Sequence, residues 1–106
     1  HRDIKAGNIL LDRQGNVYLS DFGVSASRKK GQKRGTLAGS PCWMAPEVMS
    51  RSGHEYSADI WSAGITAIEI ACGDAPYSTL PAGKVMLNIL NLDPPKLPQG
   101  GWSSQF

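Results

Sequence analysis

The stretch that decides the fold is HRDIKAGN at residues 1–8, together with the two short apolar runs that follow it at 9–11 and 17–19. The residues between the two runs are rich in turn formers, which predicts a β-hairpin. The two ends of an antiparallel pair lie side by side. The hairpin should therefore bring Asn8, just before its first strand, close to Asp21, just after its second strand.

Four polar side chains in this part of the sequence indicate chemistry on a phosphate group. Asp3 can accept the proton of a hydroxyl group, and Lys5 is a mobile cation that can reach a phosphate. Asn8 and Asp21 offer oxygen ligands of the kind that Mg²⁺ prefers. Each residue alone is better interpreted as a loop, turn or cap residue. Their combination in this order favours phosphoryl transfer, which needs an oriented nucleophile, a held metal and neutralised phosphate charge.

The clearest predicted helix covers residues 57–72. Ser57 is a suitable N-cap, Asp59 lies in the first turn, where the helix dipole favours an acid, and Gly73 is a suitable terminator. Apolar residues fall on every face of this helix rather than on one stripe. A helix of that kind is expected to be buried at the centre of a domain, yet the rest of the chain offers little to bury it.

The remaining segments are shorter or irregular. Residues 24–44 contain several glycines and a basic run, which predicts a long loop that is functional or disordered. A short helix is predicted to start at Ala45, with Pro46 in its first turn. Another short helix is predicted over 85–90, and the proline-rich sequence after Asp93 predicts a loop.

Composition narrows the class of protein. The 106 residues, with a net charge of +2, suit one small domain. Cys42 and Cys72 lie far apart and lack a CxxC pattern or a neighbouring His, which argues against a zinc site and a disulfide scaffold. No apolar run is long enough to span a bilayer. The basic run at 28–34 has no interleaved aromatic residues, so we do not expect a nucleic acid as partner. The moderate net charge and the absence of an amphipathic basic helix argue against a membrane as partner.

These motifs resemble those of the eukaryotic protein kinases. HRDIKAGN resembles their catalytic loop, DFG at 21–23 resembles their metal-binding motif, and Ala-Pro-Glu at 45–47 resembles the end of their activation segment. The resemblance implies ATP and Mg²⁺ as cofactors. It also implies that Asp3 is the catalytic base and that Lys5 acts in catalysis and binds the phosphates of ATP.

The same resemblance implies the roles of the residues around them. Asn8 and Asp21 would bind ATP through the Mg²⁺ that they hold. His1 would pack against Phe22, and Asp59 would accept hydrogen bonds from the catalytic-loop backbone.

The resemblance also implies a fold. It is α+β and protein-kinase-like: residues 1–106 would form a partial catalytic domain, the mainly helical C-terminal lobe with the catalytic-loop β-hairpin. The catalytic loop would span 1–8, the activation segment 21–47 and the central helix about 57–72. The N-terminal lobe is expected to be absent, so the isolated chain should be inactive and should fold poorly.

Finer motifs indicate a group of kinases. Lys5, two residues after Asp3, is typical of serine/threonine kinases, and GSPCWMAPE at 39–47 resembles the Ste20-like group. Cys42, VSA at 24–26 and DIWSAGITAIE at 59–69 are most similar to its oxidative-stress-responsive and proline-alanine-rich branch. Two features depart from that branch. It usually has Thr where Ser40 stands, and residues 27–37 are unusually basic.

The resemblance implies regulation and partners as well. Ser40 would lie in the substrate-receiving loop and bond Asp3 and Lys5. Thr36 occupies the usual activation-phosphorylation position, and Arg2 would pair with its phosphate after an upstream kinase acts. The partners would be that kinase and a protein substrate with a Ser or Thr hydroxyl, and the location would be cytoplasmic.

Two other functions are compatible with parts of the sequence. A pseudokinase acting as a scaffold is disfavoured because Asp3, Asn8 and Asp21 are all intact. A small-molecule phosphotransferase would share parts of the first motif, but the Ala-Pro-Glu segment and the peptide-receiving loop disfavour it.

Overall fold

The computed structural model describes residues 1–22, 40–50, 52 and 56–105. Within these residues a two-stranded antiparallel sheet precedes three α-helices, and the predicted α+β, mainly helical fold is confirmed. In chain order the elements are a 3₁₀ helix at Ala6–Asn8, β1 at Ile9–Leu11, β2 at Val17–Leu19, a 3₁₀ helix at Pro41–Trp43, α1 at Pro46–Met49, α2 at Ser57–Cys72 and α3 at Ala82–Asn91. Gly23, Thr36 and the basic run at 28–34 lie outside the described residues.

The predicted hairpin is present with the expected strands. Ile9 pairs with Leu19, and Leu11 pairs with Val17. The side chain of Asp12 organises the turn, because its carboxylate accepts hydrogen bonds from the backbone N–H groups of residues 14 and 16 at 2.9 and 2.8 Å. Such a side chain replaces backbone partners that a five-residue turn leaves unmatched.

Helix α2 has the predicted bounds, but its N-terminus differs from the prediction. Tyr56 is the N-cap and already has helical dihedral angles, φ −61° and ψ −23°, with no side-chain cap hydrogen bond. The turn therefore begins one residue earlier than expected, and the prediction that Ser57 caps the helix is wrong. Gly73 ends the helix in the left-handed conformation, φ 90°, as predicted.

Helices α1 and α3 also follow the sequence pattern. Pro46 is the first residue of α1, where its missing N–H costs nothing. Helix α3 is longer than the predicted 85–90, because it begins directly after Pro81, whose carbonyl accepts a hydrogen bond from the backbone N–H of Lys84 at 2.8 Å. In the described part of the chain, no helix combines the length and the apolar character needed to cross a bilayer.

The core is small and lies between α1, α3 and the second 3₁₀ helix. Its buried cluster consists of Met44, Met49, Val85 and Ile89. Helix α2 buries only part of its circumference, since Ile60 and Ile70 are 74% and 64% exposed. No other described element covers those faces, in agreement with the expectation that this chain offers little to bury the helix.

Candidate active site

Asp3 lies at the centre of a cluster of hydrogen-bond donors. Its carboxylate is 3.1 Å from Lys5 Nζ and accepts a hydrogen bond from Asn8 Nδ2 at 3.1 Å. Its other oxygen, Oδ1, accepts hydrogen bonds from the backbone N–H and the hydroxyl of Ser40, each at 3.2 Å. The structure thus brings together Asp3, Lys5, Asn8 and Ser40 from segments that are 35 residues apart in sequence.

These neighbours keep the Asp3 carboxylate ionised. Burial alone would raise the pKa of Asp3, but the hydrogen bond and positive charge of Lys5, with hydrogen bonds from Ser40 and Asn8, outweigh it and hold that pKa below its ordinary value. An ionised carboxylate can accept a hydrogen bond from an incoming hydroxyl and orient its oxygen.

Lys5 and Ser40 are directly hydrogen-bonded, as the family resemblance implies. Lys5 Nζ donates to Ser40 Oγ at 2.9 Å while it also contacts Asp3. The ammonium group is therefore held beside the candidate base by two oxygen partners. A cation fixed in this position can neutralise charge on a phosphate group that approaches Asp3.

Asn8 is buried, and its amide is oriented by Asp3. Nδ2 donates to the backbone carbonyl of Asp3 at 2.7 Å as well as to its carboxylate. Both donor positions of the amide are thus directed at Asp3. Among the described residues no hydrogen bond occupies Asn8 Oδ1, and this is the atom that can bind a cation.

The hairpin brings Asp21 to the same end of the sheet as Asn8. The backbone N–H of Ser20 donates to the carbonyl of Asn8 at 2.8 Å, so Asp21 follows directly on the residue paired with Asn8. Asp21 has a φ of 59°, a left-handed conformation that Asp adopts more readily than most residues. The predicted proximity in the backbone is confirmed.

The donor set at this end of the hairpin suits Mg²⁺. Within the described ranges, no cluster of three or more His, Cys, Asp or Glu residues could hold a metal ion. Asn8 and Asp21 offer two protein oxygen ligands. Mg²⁺ is commonly held by one or two carboxylates while phosphates and waters complete its shell, so the pair fits a metal that arrives with a nucleotide.

His1 packs against Phe22, as the family resemblance implies. Its ring lies 4.7 Å from that of Phe22 between centroids, at an interplanar angle of 63°. Nδ1 accepts a hydrogen bond from the backbone N–H of Asp3 at 3.2 Å, so the proton is assigned to Nε2, which donates to the Ser20 carbonyl at 2.9 Å. His1 thereby connects the Asp3 segment to the end of the hairpin.

Asp59 on α2 holds the backbone of the segment that leads to Asp3. Its carboxylate accepts hydrogen bonds from the backbone nitrogen atoms of Arg2 and His1 at 2.8 and 2.7 Å. Arg2 is exposed with a φ of 75°.

Glu69, Trp43 and Ser62 make contacts in the site that were not predicted from the sequence. Glu69 accepts hydrogen bonds from the backbone N–H of Ala6 and from the indole of Trp43, and buried Ser62 donates to the Trp43 carbonyl at 2.7 Å. The sequence does single out Glu69 as a candidate site residue, because it is the one charged residue between Asp59 and Gly73 in a largely apolar helix.

Comparison with known proteins agrees with this geometry. The protein kinase domain model matches residues 1–94. Serine/threonine-protein kinase fray2 of Dictyostelium discoideum is 52% identical over 111 residues, which cover 100% of this chain and 11% of the relative. Germinal center kinase 3 of Caenorhabditis elegans is 52% identical over 107 residues, covering 92% of this chain and 18% of the relative.

A human relative extends the comparison. Serine/threonine-protein kinase 10 of Homo sapiens is 47% identical over 113 residues, covering 100% of this chain and 12% of the relative. The chain therefore spans between 11% and 18% of the length of these three relatives. The relatives that the chain matches are serine/threonine kinases of the Ste20-like group, and the chain itself belongs to the protein kinase domain family.

Proposed function

We propose that the protein to which this chain belongs is a serine/threonine protein kinase that transfers the γ-phosphate of ATP to Ser or Thr hydroxyls of a protein. The observation that carries the proposal is the arrangement around Asp3. A lysine ammonium and a buried asparagine amide each lie within hydrogen-bond distance of an ionised carboxylate. Phosphoryl transfer needs this combination of orientation and charge.

Each residue has a separate role in the proposal. Asp3 accepts a hydrogen bond from the substrate hydroxyl, orients its oxygen and takes its proton. Lys5 places positive charge beside the phosphate oxygens, and Ser40 holds both Asp3 and Lys5 in the required position.

The proposal includes a magnesium site. Asn8 through Oδ1 and Asp21 through its carboxylate would hold Mg²⁺, because hard oxygen ligands suit this ion. When bound with ATP, Mg²⁺ would supply charge neutralisation at the phosphates. The chain contributes the orientation of Asn8, which is fixed by its two hydrogen bonds to Asp3.

The boundaries of the functional segments are part of the same proposal. Residues 1–8 would form the catalytic loop, residues 21–47 the activation segment, and α2 the central helix of the C-terminal lobe. Three contacts of α2 support this assignment, because Asp59, Ser62 and Glu69 bond one or other of the first two segments. The chain alone, without the N-terminal lobe, would be inactive.

We also propose a branch and a location. The motif GSPCWMAPE at 39–47 and the sequence of α2 favour the oxidative-stress-responsive and proline-alanine-rich branch of the Ste20-like group. The partners would be protein substrates, with no nucleic acid or membrane, and the location would be cytoplasmic.

Regulation by phosphorylation of Thr36 completes the proposal. A phosphate adds close to two negative charges and several acceptor oxygens. The exposed side chain of Arg2, next to Asp3, is available to pair with it. We expect an upstream kinase to activate the enzyme in this way. A Thr36→Ala protein that keeps full activity after treatment with the activating kinase would contradict this part of the proposal.

The function is tested by phosphate transfer from Mg-ATP to a generic Ser/Thr protein substrate. The complete protein is compared with its Asp21→Asn variant, and Asp93→Asn in the exposed loop after α3 is the matched control. Activity that collapses in Asp21→Asn and persists in Asp93→Asn is expected. Absence of transfer in every form, even after phosphorylation of Thr36, would favour a pseudokinase scaffold instead.

A further inference from the structure

Asn8 and Ser20 face each other at the open end of the hairpin. The register places them opposite each other, one step beyond the pair of Ile9 with Leu19. A hydrogen-bonded antiparallel pair exchanges two backbone bonds. The N–H of Ser20 donates to the Asn8 carbonyl at 2.8 Å, but the N–H of Asn8 donates to the Lys5 carbonyl at 3.0 Å instead. The pair therefore has one backbone hydrogen bond where a continuing ladder would have two.

The side chain of Ser20 supplies a second bond between these two residues. Its hydroxyl donates to the Asn8 carbonyl at 3.0 Å, so that this oxygen accepts two hydrogen bonds from Ser20. The Ser20 carbonyl, to which the Asn8 N–H does not donate, accepts a hydrogen bond from His1 Nε2 at 2.9 Å. An apolar residue at position 20 would leave a single hydrogen bond between the two segments at this point.

The pair lies directly beside both proposed metal ligands. Asn8 is itself one of them, and Asp21 follows Ser20 without an intervening residue. Asp21 has a φ of 59°, so the chain leaves the extended direction of β2 immediately after Ser20. The spacing of the two ligands therefore depends on how firmly Ser20 is held to Asn8. Mg²⁺ is sensitive to such spacing, because it demands near-ideal geometry with oxygen ligands at about 2.0–2.1 Å.

We propose that Ser20 is a positioning residue whose hydroxyl, through its hydrogen bond to the Asn8 carbonyl, fixes the spacing of Asn8 and Asp21 for metal binding. The inference rests on the magnesium site of the proposed function. Ser20 acts on the metal through the two ligands, because its hydroxyl is bonded to a backbone carbonyl. Sequence alone does not indicate this role, since an isolated Ser after a strand is an ordinary loop residue.

Three substitutions separate the hydroxyl from the shape of the side chain. Ser20→Ala removes the hydroxyl, and Ser20→Thr retains it. Ser20→Val has the same branching at Cβ as the Thr variant but no hydroxyl, so a comparison of these two isolates the hydrogen bond. Ser78→Ala, in the exposed loop before α3, is the matched control for loss of a serine hydroxyl. All variants are made in the complete protein.

Metal affinity is measured first, without catalytic turnover. Mn²⁺ is the probe, because oxygen sites that suit Mg²⁺ also accept it, and its paramagnetic signal reports the free ion. The titration uses protein with a non-hydrolysable ATP analogue, after subtraction of binding to the analogue alone. The Kd for Mn²⁺ should rise about 3- to 10-fold in Ser20→Ala and Ser20→Val, the effect of losing one neutral hydrogen bond. Ser20→Thr and Ser78→Ala should stay within about twofold of wild type.

Two further readouts are expected to agree with the metal affinity. The Ser20 amide proton of the wild-type protein and of Ser20→Thr, followed by NMR, should exchange more slowly than the amide at position 20 in Ser20→Ala and Ser20→Val. In phosphate transfer, the Mg²⁺ concentration that gives half the maximal rate should rise by the same factor of about 3 to 10. The kcat at saturating Mg²⁺ and the KM for the protein substrate should be unchanged.

Several results would overturn the proposal. An unchanged Kd for Mn²⁺ in Ser20→Ala would do so even with faster amide exchange, since the hydroxyl would then only stabilise the hairpin. Equal losses in Ser20→Thr and Ser20→Val would also overturn it, and this comparison decides if Ser20→Ala fails to fold. A wild-type protein that binds Mn²⁺ but transfers no phosphate contradicts the proposed function alone, because the Mn²⁺ affinities still test Ser20. A wild-type protein that binds no Mn²⁺ overturns both.

Discussion

Lys5 and burial act in opposite directions on the pKa of Asp3, because burial disfavours the ionised form and the ammonium group favours it. We predict that Lys5→Met raises the pKa of Asp3, since burial would remain and the strongest favourable partner would be lost. The carbon shift of the Asp3 carboxyl, followed by NMR against pH, measures this. Lys84→Met on α3, where Lys84 is exposed, should leave the titration of Asp3 unchanged.

The lowered pKa of Asp3 also makes the free energy of unfolding depend on pH. The pKa of Asp3 is lower in the folded protein, so its ionised form stabilises the fold above the unfolded pKa. That contribution disappears as the pH falls below about 4 and through the folded value. We predict a smaller acid-induced fall in the free energy of unfolding for Lys5→Met. An identical fall in both proteins, measured by urea unfolding at several pH values, would contradict this.

Removing the carboxylate of Asp3, the proposed proton acceptor, should abolish most activity. We expect Asp3→Asn to lower kcat about 10²- to 10⁴-fold, the usual contribution of a positioned base. Asp12→Asn is the matched control, because the hydrogen bonds that Asp12 makes to described residues all lie within the hairpin. Phosphate transfer at saturating ATP measures both variants. A kcat for Asp3→Asn within a few-fold of wild type would contradict the assigned role.

Individual residues of the site differ in how far the sequence could predict them. Asp3, Lys5 and Asn8 lie within six residues of one another, so local sequence indicates them. The contact of Lys5 with Ser40 spans 35 residues and was predicted only through the family resemblance. The contact of Glu69 with Ala6 spans 63 residues, and no local pattern predicts a contact at that separation.

At the level of elements, the two ends of α2 show why one prediction held and another failed. Gly73 was predictable because a left-handed C-terminus strongly favours glycine. The N-terminus was not, because several residues can begin a helix and the conformation of Tyr56 depends on what precedes it. The hairpin was predictable in full, since its strands and turn are contiguous in sequence.

A matched pair of glycine substitutions tests whether Gly73 is a left-handed cap of α2. Gly73→Ala should destabilise the protein by about 1 kcal/mol, because a side chain is strained at a φ of 90°. Gly83→Ala in α3 meets no atom within 4 Å and should be neutral or stabilising by up to about 1 kcal/mol. Denaturant unfolding of the complete protein measures both. Equal effects from the two substitutions would contradict the assignment of Gly73 as a left-handed cap.

For the whole molecule, the small number of buried apolar side chains compared with exposed ones predicts that the isolated chain unfolds with weak cooperativity. Of the described residues, seven apolar side chains are buried, whereas thirteen large hydrophobic ones are exposed. Those on the hairpin and on α2 are Leu10, Leu11, Val17, Tyr18, Leu19, Ile60 and Ile70. A small core stabilises a domain only marginally.

We therefore expect the isolated 106-residue chain to unfold gradually and to bind a hydrophobic dye such as ANS. Circular dichroism during heating and dye fluorescence at 25 °C measure the two properties. The complete protein serves as the control and should unfold cooperatively. A sharp thermal transition of the isolated chain, with no dye binding, would contradict the prediction.

Hydrogen bonds connect Lys5, Ser40, Trp43 and Glu69 into a closed ring, which returns to Lys5 through the backbone N–H of Ala6. This ring has an energetic consequence for the whole molecule. In a closed ring every contact holds the partners of the others nearby, so each bond forms at a high effective concentration. Opening one contact lowers that concentration for all of the rest. Substitutions at Lys5 and Glu69, which share no hydrogen bond, should then be non-additive. The two ends of the site would behave thermodynamically as one unit.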